Sequence, residues 1–255
     1  MIIPVRLLGS HFMITDSRLL RLIAEGPVAT PFVELEGGTF LMGSDLRNNE
    51  GPVREVTVDP FAVALVPLSN REFEMFIEAT GYERLPFLDD KRFNAPNQPV
   101  VGVSWNDAIA YCTWLSELIG RMCRLPTEAE REFAARGGIR DALYPWGNEP
   151  WTDGPYSLGG AGMDRPPSIG SSSANGFGLF HMADGVHEWC SDWYSRAGYE
   201  GLSSTNPIGV SDGERRVSRG GSWRHRVKVS RVAARSSLGP ERRYNDYGMR
   251  VYASV

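Results

Sequence analysis

The chain of 255 residues is poor in cysteine: Cys112, Cys123 and Cys190 are the only three, and no two form a Cys-x-x-Cys pair. An odd, widely spaced set speaks against both a disulfide framework and a zinc ribbon. Cys112 lies in the apolar helical stretch Ala110-Tyr111-Cys112-Thr113-Trp114-Leu115, which predicts a buried free thiol. Long hydrophobic runs are also missing, and nothing approaches the ~20 residues of a membrane-spanning helix. The apolar start is broken by Pro4 and Arg6 and has no basic region ahead of it, unlike a secretory signal. The expected location is therefore the cytoplasm. There is no basic stripe and the net charge is -4, so neither nucleic acid nor a membrane is an expected partner.

Turn-forming and aromatic residues are abundant. The 28 glycines and 17 prolines predict many irregular connections. Seven tryptophans, nine tyrosines and eleven phenylalanines supply bulk to order them from within. Leu19, Leu20, Leu22 and Ile23 suggest a short helix in a lead-in segment over residues 1–30, ahead of one domain over 31–255. Alternation in Phe32–Glu36 and Thr39–Gly43 about Gly37-Gly38 predicts a hairpin, with another strand over Val53–Val58. Three helices are expected. Ser69 with Glu72, and Thr127 with Glu130, read as capping boxes; Ser104 starts the middle helix with Asp107 in its first turn. Gly81, Gly120 and Gly137-Gly138 end them. Tyr144–Phe180 has almost no periodicity. Strand-like character returns over Val186–Tyr194, around Val217, at Ser222-Trp223, over Val227–Ala234 and over Met249–Tyr252.

The ordered blocks are specific. They include Gly37-Gly38-Thr39-Phe40-Leu41-Met42-Gly43-Ser44, Pro99-Val100-Val101-Gly102-Val103-Ser104-Trp105 and Arg124-Leu125-Pro126-Thr127-Glu128-Ala129-Glu130. Pro145-Trp146-Gly147-Asn148, Asn175-Gly176-Phe177-Gly178-Leu179, Glu188-Trp189-Cys190-Ser191-Asp192-Trp193 and Arg219-Gly220-Gly221-Ser222-Trp223 follow. In this order, across residues 32–252, they resemble the signature blocks of the formylglycine-generating enzyme (sulfatase-modifying factor) family. The resemblance implies an α+β, C-type-lectin-like fold with little regular secondary structure. The tryptophans, glycines and prolines of these blocks are then mainly architectural, and Arg124, Glu128 and Glu130 are candidates for buried ion pairs.

The chain departs from the family where the chemistry sits. The founding enzymes bind copper(I) through two cysteines just after the Gly-Gly-Ser block. Soft thiolates suit that ion, and Arg224–Arg235 contains none. His187 stands where the copper enzymes have tryptophan beside the active site, and His225 replaces part of the copper loop. The resemblance thus places His187 and His225 on one cleft, with Ser222 as a third catalytic candidate. Trp189, Trp223, Arg224, Lys228, Arg235 and Tyr247 are candidate ligand-binding residues, the cations suiting an anion. A histidine pair beside a carboxylate is one way to hold a redox-active transition metal. The block Leu179–Trp189 normally supplies a structural calcium site; Asp184 and Glu188 are hard-oxygen candidates, while His181 is a poor ligand.

Two functions remain open. One is a metal-dependent oxidoreductase with a remodelled cleft, acting on a small molecule or peptide. The other is a non-catalytic, lectin-like ligand-binding, protein-binding or accessory module.

Overall fold

The computed structural model describes residues 6–7, 10–11, 31–149 and 163–255. The expected lead-in helix lies outside the described residues. In chain order the strands are β1 (Arg6–Leu7), β2 (Ser10–His11), β3 (Phe32–Leu35), β4 (Gly38–Met42), β5 (Arg54–Val58) and β6 (Phe61–Ala64). They continue as β7 (Cys123–Arg124), β8 (His187–Trp193), β9 (Arg216–Arg219), β10 (Arg235–Leu238), β11 (Tyr247–Gly248) and β12 (Tyr252–Ser254). The helices are α1 (Asn70–Thr80), α2 (Trp105–Ile119) and α3 (Glu128–Arg136).

All three helices begin on complete capping boxes: Ser69 with Glu72, Ser104 with Asp107 and Thr127 with Glu130. Each reciprocal pair satisfies two backbone donors that the first turn leaves free, and losing such a cap costs about 1 kcal/mol. All three end on a glycine in the left-handed region, Gly81, Gly120 and Gly137. No helix among the described residues is long and apolar enough to cross a membrane.

The expected hairpin about Gly37-Gly38 does not form. β3 pairs with β6, while β4 pairs with β5. Gly37, at φ +69°, approaches so close to the Val58 carbonyl that a Cβ would overlap it. The two glycines therefore carry the chain from one sheet into a separate ribbon, instead of folding it back on itself.

Two four-stranded sheets dominate. One has the order β3-β6-β12-β7 and is antiparallel throughout. The other has the order β10-β9-β8-β11, in which β11 runs parallel to β8. The expected strands at Ser222-Trp223 and Val227–Ala234 are absent: the first is turn, and Val227–Val229 is a single 3-10 turn. Both segments are occupied in loop-closing hydrogen bonds, Trp223 N–H to Gly185 O at 2.9 Å and Ser230 N–H to Val227 O at 2.8 Å.

One apolar core lies between α1, α2 and the first sheet, where Phe73 stacks on Tyr111 at 5.9 Å and Phe76 meets Trp114 at 5.4 Å. Burying a phenylalanine such as Phe73 contributes about 2–3 kcal/mol. A second core joins α3 to the β4–β5 ribbon through Phe40, Phe61 and Tyr252. A third, small cluster of Phe93, Val101, Val186 and Trp223 lies near the start of β8.

Between the cores runs a network of buried ion pairs. Glu188 on β8 accepts from Arg131 Nε at 2.6 Å and Arg250 Nε at 3.0 Å. Glu128 holds Arg219 and, through two bonds, Arg235. Glu132 pairs with Arg136 and Arg219, and Glu50 with Arg231. Arg124 and Glu130 form the suggested two-pronged pair at 2.7 Å, but it is only partly buried. The arginines spend their remaining donors on loop carbonyls: Arg250 reaches Ala64 and Phe180, and Arg131 reaches Met182. Rigid guanidinium forks thereby replace regular hydrogen-bonding ladders as the fasteners of the loops.

Candidate functional site

The site is built at the start of β8. Parallel pairing sets His187 opposite Tyr247 and Glu188 opposite Gly248. His187 N–H donates to the Asp246 carbonyl at 2.8 Å, which carries the Asp246 side chain to the same corner. The third contributor arrives after β9. Gly220, at φ +78°, passes so close to Arg131 that a Cβ would lie 2.8 Å from Nη2. At Gly221 a Cβ would overlap Ser230 Oγ and lie 2.5 Å from the Ala183 carbonyl oxygen. Only glycine passes here, and the turn that follows, closed by His225 N–H to Ser222 O at 2.9 Å, presents His225 to His187. Gly221→Ala is therefore expected to lose about 2–3 kcal/mol of stability through overpacking and to displace His225. A thermal melt within a degree of wild type would overturn this.

The two imidazole rings lie 4.9 Å apart, and His187 is also 4.9 Å from the Tyr247 ring. Ser222 Oγ is 3.1 Å from His225 Nδ1 and 3.3 Å from Asp246 Oδ2. That leaves His225 Nε2 directed at the cleft, 3.8 Å from Asp246 Oδ2. His187 is buried, and its Nδ1 has no hydrogen-bond partner among the described residues. Burial, then the neighbouring His225, pulls its pKa down to about 3, against a partial offset from the Gly220 backbone. Burial likewise lowers His225, against the opposing pull of Asp246. Both rings are thus neutral near pH 7, the form that ligates metals.

His187, His225 and Asp246 each offer a ligand atom within 4.8 Å of one another, and they are the one such group of three found among the described residues. An ion bound at roughly 2.0–2.2 Å needs donors about 3–4 Å apart. A closure of roughly 1 Å by His225, whose side chain is a third exposed on its turn, supplies the difference. The donors fit a transition metal: two neutral imidazole nitrogens, with the orphaned buried Nδ1 on His187, and one carboxylate.

The other candidates divide sharply. Ser222 is fully buried, so it positions His225 and offers no exposed hydroxyl. Tyr247 stands beside His187, but its hydroxyl turns to Ser236 at 3.1 Å and Ser218 at 3.4 Å. Trp189 is fully enclosed behind Tyr247, its indole donating to the Val103 carbonyl, and does not reach the cleft. Trp223 is buried and donates to Asn245 O. Arg235 lines the cleft, yet every donor is committed to Glu128, Asn49 O or Ser195 O. Arg224 is exposed and donates to Asn245 Oδ1; Lys228 is exposed on the 3-10 turn. Of the two calcium candidates, Glu188 is already satisfied by other groups. Both Glu188 oxygens are held by arginines, Arg131 takes the Met182 carbonyl, and Asp184 Oδ1 faces His181 Nδ1 at 3.1 Å. Glu188 therefore has no free oxygen for a hard cation, whereas the buried Asp184 Oδ2 has no hydrogen-bond partner among the described residues.

Asp246 escaped the sequence reading because 59 positions separate it from His187 and only the β8–β11 register joins them. The three cysteines are free and buried. Cys112 and Cys123 lie in the helical core, and Cys190 is fully enclosed on β8.

Comparison with known proteins agrees with this architecture. The formylglycine-generating enzyme of Thermomonospora curvata is 35% identical, over 86% of this chain and 90% of its own. The inactive C-alpha-formylglycine-generating enzyme 2 of Bos taurus is 32% identical, over 78% of this chain and 80% of its own. The structure of PvdO from Pseudomonas aeruginosa superposes with a TM-score of 0.81 at 26% identity, over 99% of both chains. The model of the sulfatase-modifying factor enzyme 1-like domain matches residues 22–255, and with it the chain belongs to the formylglycine-generating enzyme family and has that family's α+β fold.

Proposed function

We propose that this protein is a metal-dependent oxidoreductase acting on a small molecule in the cleft of His187, His225 and Asp246. The observation that carries the reading is the convergence of these three side chains, with a buried His187 Nδ1 that has no hydrogen-bond partner among the described residues. A transition metal bound there supplies Lewis acidity and a redox couple, with coordination positions left for substrate. The chain's own residues do the rest. Burial keeps His187 neutral, Ser222 fixes the His225 ring through Nδ1, and Tyr247 packs against His187 to hold its plane. Copper chemistry through a cysteine pair has no counterpart in this cleft, because all three thiols are enclosed elsewhere.

Metal analysis of freshly purified protein, followed by titration of stripped protein with Co(II), tests the reading. Wild type is expected to bind one equivalent. His225→Ala is expected to weaken binding by more than about 100-fold, since even outer partners of metal ligands are worth about 10–100-fold. Ser222→Ala, which removes such a partner, should fall within that smaller range. Equal Co(II) affinity in wild type and His225→Ala would sink the assignment. A second reading, a non-catalytic ligand-binding module, is supported by the similarity to a relative named as inactive. It predicts ligand binding without turnover in protein loaded with any metal.

A further inference from the structure

The cleft beside the histidine pair is a cavity of about 200 Å³. Two of its lining residues carry full charges, Arg47 and Arg235. Arg235 is spent on Glu128 and two carbonyls. Arg47 is different. Its side chain is 49% exposed, and its nearest carboxylate oxygen, Glu50 Oε1, is 3.9 Å from Nε. Both Glu50 oxygens are already held at 2.7 Å by Arg231, and Ser44 adds a third bond at 2.7 Å. Among the described residues, then, the Arg47 guanidinium has no close partner of its own.

Its backbone is nonetheless fixed. Glu50 N–H donates to Arg47 O at 2.9 Å, Ser44 N–H donates to Glu50 O at 3.0 Å, and Leu46 N–H donates to Ser44 Oγ at 3.1 Å. An uncommitted cation on a rigid turn, lining the same cavity as the two imidazoles, offers a local positive charge to an anion. The planar fork of a single arginine matches a carboxylate through two parallel hydrogen bonds. A phosphate would need more donors than this one uncommitted guanidinium offers. The cavity is also smaller than the ~300–1,000 Å³ typical of pockets for drug-sized ligands, so the group it encloses is metabolite-sized.

We infer that the cleft takes a small organic carboxylate, its carboxylate anchored by Arg47 and its other end at the His187–His225 pair. The inference rests on the proposed metal site only for where that other end lies. It moves the anion contact from Arg224 and Lys228 to a residue 140 positions before His187 in the chain.

The test is calorimetric titration of the full chain, stripped and Co(II)-loaded, with pyruvate, succinate, their methyl esters and inorganic phosphate. The acids are expected to bind, with the esters weaker by about 30-fold, the worth of charge-assisted hydrogen bonds. Arg47→Gln is expected to lose about the same factor for the acids while keeping Co(II) affinity, and Arg47→Lys to recover only part of it. Acids that do not bind, esters that match them, phosphate that outcompetes them, or an Arg47→Gln protein that binds as wild type would each overturn the inference. Co(II) binding with no acid binding would refute the carboxylate site alone. Arg47-dependent acid binding without Co(II) binding would refute the metal reading and leave the carboxylate site standing.

Discussion

Glu188→Ala is expected to leave the domain unable to fold at 37 °C. Glu188 is fully buried, as are Arg131 and Arg250 on either side of it. Its carboxyl is held below the usual range because the attraction of the two guanidinium groups and their hydrogen bonds outweighs the penalty of burial. Removing it leaves two buried cations with no counter-charge. Breaking one buried pair costs about 3–5 kcal/mol, so breaking both approaches the whole stability of a domain at roughly 5–15 kcal/mol. The damage would spread, because the same arginines hold the Ala64, Phe180 and Met182 carbonyls. Glu188→Gln, which keeps an acceptor but loses the charge, should fold with a clearly lowered denaturation midpoint. Circular dichroism and urea titration check both variants. A Glu188→Ala protein with a midpoint close to wild type would show that the triad is dispensable. The sign with pH follows from the depressed pKa. This contribution is complete above about pH 4.5, the ordinary value, and is lost as pH falls through the folded value.

That triad shows where sequence reasoning stops. The three helices were legible to the residue, because a capping box and a terminal glycine are local codes, four residues wide at one end and one at the other. The pairing of strands was not. Phe32–Leu35 and Gly38–Met42 alternate as a hairpin would, but the partner of each lies further along the chain, on β6 and β5. Alternation reports that a strand has two faces, not which strand lies beside it. Glu188 was misread for a related reason. An acidic residue in a loop-rich block suits calcium equally well until the positions of Arg131 and Arg250 are known, and those lie 57 and 62 residues away in the chain. The histidine pair was legible only through the family resemblance. Asp246 and Arg47, which complete the cleft, have neither motif nor spacing to mark them. They reach it by strand register and by a turn held on Glu50 and Ser44.

His187 makes the stability of the metal-free protein fall between pH 6.5 and 4.5 by more than its carboxylates account for. Its folded pKa is depressed to about 3 by burial, by His225 and by the charges of Arg131 and Arg224. In the unfolded chain it titrates near 6.5. Between those values the unfolded chain binds the proton and the native protein does not, so this stabilisation is complete above about pH 6.5 and is lost as pH falls toward 3. By pH 4.5 the loss is roughly 2–3 kcal/mol. The depressed buried glutamates, Glu50, Glu128 and Glu188, lose their contributions only below about 4.5, outside this window. His225 adds a smaller loss in the same direction. Asp192 opposes both: burial and the nearby Glu128 raise its carboxyl to about 6, so its protonation favours the native state as pH falls. The clean measure is therefore the difference between wild type and His187→Leu in urea titrations at pH 7 and 4.5. The variant should lose roughly 2–3 kcal/mol less than wild type over that interval. Equal losses in the two proteins would mean that His187 is not held neutral in the folded state. The same burial links stability to the proposed chemistry: an imidazole that resists protonation to about pH 3 keeps its Nδ1 lone pair available throughout the range in which a metal would bind.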